Sequence, residues 1–281
     1  MNTVAELGEL RAQVDAWRRG GNVAFVPTMG NLHEGHLSLV RAARLLADRV
    51  VVSIFVNPLQ FGAGEDFANY PRTLDNDTAM LEGEGTDLLF APPVAVMYPK
   101  PQAQQTRVEV PELSDLLCGA YRPGHFVGVA TVVCKLFNMV QPDVALFGKK
   151  DYQQLMVIRR MVDDLAMPVR VVGVDTVREA DGLAMSSRNG YLTAEQRATA
   201  PVLFRVLSGL AGKLREGGDD VVALQAQATR ELDESGFTTD YVAIRRAADL
   251  QEPEPGEPNL VILAAAYLGK ARLIDNIEVT R

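Results

Sequence analysis

The sequence predicts an α/β protein in which a doubly wound parallel sheet is followed by a smaller C-terminal α+β domain. Over the first two thirds, near-continuous Val, Ile and Leu strands alternate with amphipathic helices, which is typical of parallel strands buried on both faces. The last third has consecutive strands with little helix between them, which favours an antiparallel sheet. We therefore expect one domain over residues 1–175 and a second, lid-like domain over residues 176–281.

Each element of the first domain is predicted from its own residues. Short apolar runs bounded by polar residues predict buried strands, at Val23–Pro27, Val50–Val56, Asp87–Ala91, Asp143–Phe147 and Val169–Val174. Longer segments whose apolar residues recur every three or four positions predict helices, at Leu37–Ala47, Leu74–Glu82, Phe126–Val140 and Asp151–Ala166.

The second domain begins with a segment that has little periodicity. Residues 175–197 contain two glycines and two adjacent serines, so we expect a surface loop that leads into a helix near Thr193. Two more helices follow, and then three strands at Tyr241–Arg245, Leu260–Ala265 and Ala271–Ile274.

Charge and apolar patterning argue against several classes of function. The chain of 281 residues has a net charge of −8 and a pI near 5.0, which argues against nucleic-acid binding because phosphate backbones are held by excess Lys and Arg. The start lacks a basic segment before an apolar core, and the most apolar run, Leu260–Leu268, is too short to cross a membrane. Two cysteines do not make a disulfide framework. We expect a cytoplasmic protein with reduced thiols.

The stretch VAFVPTMGNLHEGHLSLV, from Val23 to Val40, contains two of the three histidines. It leaves the carboxyl end of a predicted strand and enters a helix, where unpaired N–H groups and the helix dipole suit a phosphate. A metal site is less favoured, because HEGH is one residue short of HExxH and only His125 remains as a third histidine. A third interpretation, in which both rings only cap the helix, stays open at this point.

Three other polar clusters follow strands or lie in loops. Lys149 and Lys150 come after Gly148 at a strand end, Asn57 and Gln60 follow the second strand, and residues 185–189 read MSSRN. Each suits anion or substrate binding. Each also has a plainer interpretation. The lysines suit a solvated turn, Asn57 suits a turn before proline, and residues 185–189 suit ordinary surface. Gln60 is harder to explain in this way, because an amide between Leu59 and Phe61 needs polar partners.

Six long motifs and one near the end resemble the pantothenate synthetase, or pantoate–β-alanine ligase, family. They are PTMGNLHEGH, SIFVNPLQF, YPRTLDND, RPGHFVGVATVVCKLFNMVQPD, FGKKDYQQL, DGLAMSSRNGYL and RLIDNIEV. The resemblance implies a Rossmann-like nucleotidyltransferase fold whose HxGH signature is here His33-Glu34-Gly35-His36. It also implies that ATP, (R)-pantoate and β-alanine become pantothenate, AMP and pyrophosphate through pantoyl adenylate, with Mg2+, in a homodimer without nucleic-acid or membrane partners.

The resemblance also implies residue roles. Catalytic roles fall to His33, His36, Lys150 and Arg188. ATP contacts are implied for Met29, Gly30, Asn31, Leu32, His33, Glu34, Gly35, His36, Gly148, Lys149, Lys150, Asp151, Val177, Met185, Ser186, Ser187 and Arg188. Gln60 would bind pantoate and lie near β-alanine, Gln154 would bind pantoate, and Asn57 would contact substrate. Asp77, or alternatively Asp75, would serve Mg2+, directly or through water.

Two positions depart from the family pattern. Lys149 stands where several relatives carry an acidic or amide residue, and Asn76 stands where many carry an acid. Two other hypotheses use the same loops: a nucleotidyltransferase that keeps the nucleotide on its product, and a nucleotide-binding module without turnover. Gln60 and Gln154 argue against the first, and the intact ATP segments argue against the second.

Overall fold

The computed structural model describes residues 1–62 and 65–281. The chain forms two compact units. The first contains residues 1–149 and 154–175, and the second contains residues 150–153 and 176–281.

The first unit is built on a six-stranded sheet in the order β1-β4-β3-β2-β5-β6. All five strand pairs are parallel, as buried Val- and Leu-rich strands predict. The strands are β1 Asn2–Val4, β2 Val23–Thr28, β3 Arg49–Ile54, β4 Leu88–Phe90, β5 Val144–Gly148 and β6 Arg170–Val174.

Helices cover both faces of this sheet. They are α1 Leu7–Trp17, α2 Glu34–Arg44, α3 Leu74–Gly83, α4 Val94–Met97, α5 Cys118–Tyr121, α6 His125–Val140 and α7 Tyr152–Asp164. Ala24 and Val26 of β2 share one apolar core with α2 and α3. Phe25 points to the other face, where its ring centroid lies 6.4 Å from that of Phe137 on α6. Because successive side chains of one strand point to opposite faces, helices can pack on both sides of the sheet.

Strand order places a topological switch point between β2 and β5. The chain runs from β2 through β3 to β4 on one side and from β5 to β6 on the other. Ligands of open parallel sheets bind outside the carboxyl ends of the strands at such a point. The loop after β2 and the turn after β5, which carry predicted phosphate-binding residues, therefore flank the expected ligand crevice of this unit.

The second unit contains an antiparallel three-stranded sheet and three helices. Its helices are α8 Ala194–Thr199, α9 Val202–Arg215 and α10 Val221–Glu234, and its strands are β7 Thr238–Arg246, β8 Asn259–Leu268 and β9 Ala271–Thr280. The apolar face of α9, with Leu207 and Leu210, packs with Ile262 and Ala264 of β8 in one core. The fold class predicted from the sequence is confirmed, with the parallel and the antiparallel sheet each in the expected part of the chain.

The structure adds elements that the sequence pattern did not predict. β1 has only three residues, and α1 buries only Leu10 and Val14, so neither produces a strong apolar period. α2 begins at Glu34 rather than Leu37, because His33 caps it. The longest helix of residues 1–62 and 65–281 is α6, with 16 residues, and no helix in these ranges has the length and hydropathy to cross a membrane.

Gly128 on α6 allows the close approach of a short 3-10 helix, Pro58–Gln60. A Cβ at Gly128 would lie 2.2 Å from the carbonyl oxygen of Leu59 and 2.7 Å from Cα of Gln60. We expect Gly128→Ala to lower the free energy of unfolding by about 1–3 kcal/mol, because backbone must move to make room. The fluorescence of Trp17, the only tryptophan, reports urea unfolding of this unit.

Gly8→Ala in α1 is the matched control in the same unit. A Cβ there would meet no atom within 4 Å, so we expect no loss of stability and a gain of up to about 1 kcal/mol from helix propensity. Equal stability of the two variants would contradict the close approach at Gly128.

Candidate active site

His33 and His36 form the capping box at the start of α2. Nδ1 of His33 accepts the N–H of Gly35 at 3.2 Å, and Nδ1 of His36 accepts the N–H of His33 at 3.3 Å. The two ring centroids are 4.1 Å apart. Both rings therefore cap the helix, as one interpretation of the sequence expects, but each does so with Nδ1 alone.

Capping does not compete with phosphate binding in this geometry. A ring nitrogen that accepts an N–H carries no proton, so the proton of each neutral imidazole lies on Nε2. The cap thus makes Nε2 of His33 and of His36 hydrogen-bond donors. Two donors at a helix N-terminus suit an anion.

Asp77 holds the loop that precedes this helix. Its carboxylate is fully buried and accepts the N–H groups of Asn31 and Leu32, each at 2.9 Å. The hydroxyl of Thr73 donates to both carboxylate oxygens at 3.1 Å. Asn31 has a φ of 51° and Gly30 a φ of 79°, so this carboxylate supports a loop in the left-handed region, where such support offsets backbone strain.

These contacts make Asp77 a support of the loop, and its contact with Mg2+ stays a prediction. Its oxygens accept two backbone N–H groups and share the one proton of the Thr73 hydroxyl, so the carboxylate is already engaged by the loop that it supports. Within residues 1–62 and 65–281, no group of three or more His, Cys, Asp or Glu side chains is placed to hold a metal ion. The alternative, Asp75, is exposed in the first turn of α3.

Asn57 and Gln60 form a buried amide pair after β3. Oδ1 of Asn57 accepts the N–H of Leu59 at 3.2 Å and the hydroxyl of Tyr98 at 2.9 Å. Its Nδ2 donates to Oε1 of Gln60 at 3.0 Å and to the carbonyl of Gly128 at 3.1 Å. Because the four hydrogen-bonding positions of Asn57 are used and its side chain is 1% exposed, its expected direct contact with substrate does not fit. Burial raises the pKa of Tyr98 far above its usual value, so its hydroxyl stays a donor.

The amide nitrogen of Gln60 faces the histidine loop. Nε2 of Gln60 lies 2.9 Å from the sulfur of Met29, the first residue after β2. The residue predicted to bind pantoate and the first residue of the predicted ATP loop thus come together in the first unit.

A second set of contacts holds the backbone of Gln60. Its carbonyl oxygen lies 2.8 Å from Nδ1 of His125, and Nε2 of His125 lies 3.1 Å from the guanidinium of Arg122. Arg122 donates to both oxygens of Glu65 at 2.7 and 2.6 Å. Burial opposes ionisation of Glu65, but the hydrogen bond and charge of Arg122 outweigh it and keep the pKa of Glu65 below its usual value. The third histidine is therefore a support of Gln60 and not a metal ligand.

The turn after β5 carries the second predicted ATP segment. Gly148 ends β5, and residues 149–151 form a 3-10 turn before α7. Nζ of Lys149 lies 2.9 Å from the carboxylate of Asp175, just beyond β6. Lys149 thus pairs with an acid at the next strand end, which fits its interpretation as a turn residue better than a phosphate contact. Asp151 is exposed, and Gln154 is half-buried on α7.

In the second unit, a tight hairpin-like segment holds the third predicted ATP segment. The N–H of Met185 donates to the carbonyl of Val177 at 3.0 Å, so two predicted nucleotide contacts are neighbours. Beside them, the guanidinium of Arg178 makes a bidentate ion pair with the buried carboxylate of Asp275, with N–O distances of 2.6 and 2.9 Å. Its Cζ also lies 3.9 Å from the ring centroid of Phe204. Sequence patterns did not indicate this anchor.

Lys150 and Ser186 line one small cavity in the second unit, with Asn189 and Asp275. The carbonyl of Lys150 accepts the side-chain amide of Asn276 at 2.8 Å. Ser186 caps the 3-10 helix Ser187–Tyr191 by accepting the N–H of Arg188 at 3.3 Å. The structure therefore brings the second and third predicted ATP segments together at Lys150 and Ser186.

Replacing Asp77 separates structural support from metal binding. We expect Asp77→Asn to lower the free energy of unfolding by about 1–3 kcal/mol in EDTA, because one buried N–H of the loop loses its acceptor. Trp17 fluorescence during urea unfolding measures it. Asp75→Asn, two residues away and exposed, is the control and should stay within about 0.5 kcal/mol of the parent. A loss that develops only when Mg2+ and ATP are present would instead make Asp77 a metal ligand.

Comparisons with known proteins agree along the whole chain. The family model described as pantoate-beta-alanine ligase matches residues 2–278. A pantothenate synthetase from Shewanella sp. (strain MR-7) is 58% identical over 282 residues, covering 100% of both chains. The crystal structure of pantothenate synthetase from Thermus thermophilus superposes with a TM-score of 0.93 at 51% identity, covering 100% of both chains.

A further structure of this family contains ligands. Pantoate-beta-alanine ligase from Francisella tularensis, complexed with beta-gamma ATP and beta-alanine, has a TM-score of 0.84 and 33% identity over 99% of this chain and 97% of its own. Family model, full-length relatives and fold thus agree. The chain belongs to the pantoate-beta-alanine ligase family.

Proposed function

We propose that this chain condenses (R)-pantoate with β-alanine to form pantothenate, AMP and pyrophosphate, as an ATP-dependent ligase. The observation that carries the proposal is full-length membership in the family together with the HxGH helix start, whose rings are set as Nε2 donors. ATP and β-alanine are the ligands of the Francisella relative. The predicted segments for these substrates are present in the chain.

The reaction takes two steps. A carboxylate oxygen of pantoate attacks the α-phosphorus of ATP, the bond to the β-phosphate oxygen breaks, and pyrophosphate leaves. The amine of β-alanine then attacks the carbonyl of pantoyl adenylate, loses a proton, and AMP leaves with the carboxylate oxygen. The substrate supplies its own nucleophile, so the protein acts through positioning and charge stabilisation.

His33 and His36 are proposed to donate from Nε2 to phosphate oxygens as charge grows on the leaving pyrophosphate. Lys150 and Arg188 are proposed to supply positive charge to the triphosphate. The backbone around Gly30, Gly35 and Gly148, and the segments at Val177 and residues 185–188, are assigned to the remaining ATP contacts.

Gln60 and Gln154 are proposed to bind pantoate. A neutral amide orients a carboxylate without the strong ion pairing of an arginine, so the carboxylate stays nucleophilic. Gln60 is also assigned to the neighbourhood of β-alanine. Asn57 and Asp77 belong to the supports of the site, by the contacts described above.

Mg2+ is proposed as the ion that accompanies ATP. Because the carboxylate of Asp77 is engaged by the loop, we assign the ion no direct protein ligand; Mg2+ commonly keeps phosphate oxygens and water as ligands. We also propose a cytoplasmic homodimer, as the family resemblance implies.

The decisive experiment follows products. The full chain is incubated with ATP, Mg2+ and (R)-pantoate, with and without β-alanine, and AMP, pyrophosphate and pantothenate are quantified. We expect AMP and pantothenate in equal amounts, only when both acid and amine are present. A nucleotide-capped product with no AMP would make the chain a nucleotidyltransferase, and ATP binding without turnover would make it a binding module.

His36 variants separate catalysis from helix capping. We expect His36→Ala to slow AMP formation about 100-fold, because a phosphate donor is lost, and to lower stability by about 0.5–2 kcal/mol, because a cap is lost. His36→Gln should restore the stability, since Gln at this position completes a capping box, but not the rate. Recovery of the full rate in the Gln variant would return His36 to a purely structural role.

A further inference from the structure

Gln60 can present either its amide oxygen or its amide nitrogen to a ligand, and the surrounding protein decides which. A side-chain amide has one acceptor and one donor end of nearly the same shape. The end that faces the substrate sets whether the site selects hydrogen-bond acceptors or donors. The contacts of Asn57 settle this choice.

Two backbone groups fix the orientation of Asn57. The N–H of Leu59 can only donate, and it lies 3.2 Å from Oδ1. The carbonyl of Gly128 can only accept, and it lies 3.1 Å from Nδ2. Turning the amide over would place donor against donor and acceptor against acceptor, in a side chain that is 1% exposed. Unmatched buried groups are costly, so a single orientation remains.

Asn57 in turn fixes Gln60. Nδ2 of Asn57 donates to Oε1 of Gln60 at 3.0 Å, so the oxygen of Gln60 is turned inward. Its Nε2 then faces the sulfur of Met29, a weak acceptor. Within residues 1–62 and 65–281, this sulfur is the protein acceptor that Nε2 meets, so a carboxylate oxygen would form a much stronger bond there.

We propose that Asn57 is a positioning residue that fixes the hydrogen-bond polarity of Gln60, so that the site presents N–H donors and selects the ionised acid over its amide. The inference rests on the proposed function, because the acid is pantoate. Leu59 and Gly128 supply the fixed polarity, and Tyr98 reinforces it through its hydroxyl.

Asn57→Asp reverses this polarity with little change of shape. Both oxygens of the introduced carboxylate can only accept hydrogen bonds, so we expect Gln60 to turn its Nε2 toward residue 57 and its Oε1 toward the substrate. We expect the KM for pantoate to rise on the order of 10- to 100-fold, while the KM for ATP stays near that of the parent. The Ki of pantoamide, in which an NH2 replaces one carboxylate oxygen, should rise much less, because its NH2 can donate to the exposed oxygen.

A merely structural defect gives a different result. If the constants for pantoate, pantoamide and ATP rise by one common factor, or if none changes, the polarity assignment is overturned. Lowering the pH should partly rescue pantoate use by the Asp variant, relative to the parent at the same pH, because the protonated carboxyl regains a donor. The absence of any such rescue would also count against the assignment.

Two further variants keep the test decisive if the Asp variant does not fold. Gln60→Glu places an oxygen at the substrate side without any turn and should show the same selective loss of pantoate. Tyr98→Phe removes only the reinforcing hydroxyl and should have a smaller effect than either, because Leu59 and Gly128 still fix Asn57. An effect of Tyr98→Phe as selective and as large as that of Asn57→Asp would contradict the role of the backbone groups.

Parent enzyme is assayed first in the same reaction. If it forms no AMP from pantoate, ATP and β-alanine, the proposed function fails. If it does, and the Asn57 and Gln60 variants lose pantoate and pantoamide equally, the proposed function stands and only the polarity assignment fails.

Discussion

Parallel pairing is the constraint on which the first unit depends. Because all six strands run the same way, their carboxyl ends meet at one edge, and the polar residues that follow β2, β3 and β5 gather there. Parallel pairing alone brings three segments to that edge: the histidine loop, the Asn57–Gln60 pair and the turn at Gly148. What they do need is a rigid frame for each polar group, and the frame is made of buried hydrogen bonds.

Strands and helices with strong apolar periods could be predicted from the sequence, and β1 and α1 could not. The central strands keep both faces in apolar cores, so most of their buried residues are Val, Leu, Ala and Phe, with Ser53 a buried polar exception. A three-residue edge strand and a helix with two buried residues leave no comparable period. The apolar pattern begins only at Leu37 and so predicts a start of α2 that is three residues too late, because histidine is an uncommon cap.

The loops of the candidate site could be predicted, but their supports could not. Motif and strand position indicate Met29–His36 and Gln60, since loops at strand ends bind ligands. The partners of Asp77 lie 45 and 46 residues away, and Asn276 reaches the carbonyl of Lys150 across 126 residues. Such pairings depend on tertiary packing, which sequence spacing does not encode. Motif and strand position therefore predict ligand contacts for Asn57 and Asp77, whereas the structure gives both side chains protein partners.

The capping histidines tie the chemistry of the loop to the local order of the helix. An imidazolium carries a proton on both nitrogens, so Nδ1 of a doubly protonated ring cannot accept the N–H of Gly35 or of His33. Acidification would therefore act on this helix start in two opposite ways. It would add positive charge that attracts phosphate, and it would break the two bonds that aim the rings. The attraction and the alignment of these side chains cannot both be maximal at one pH.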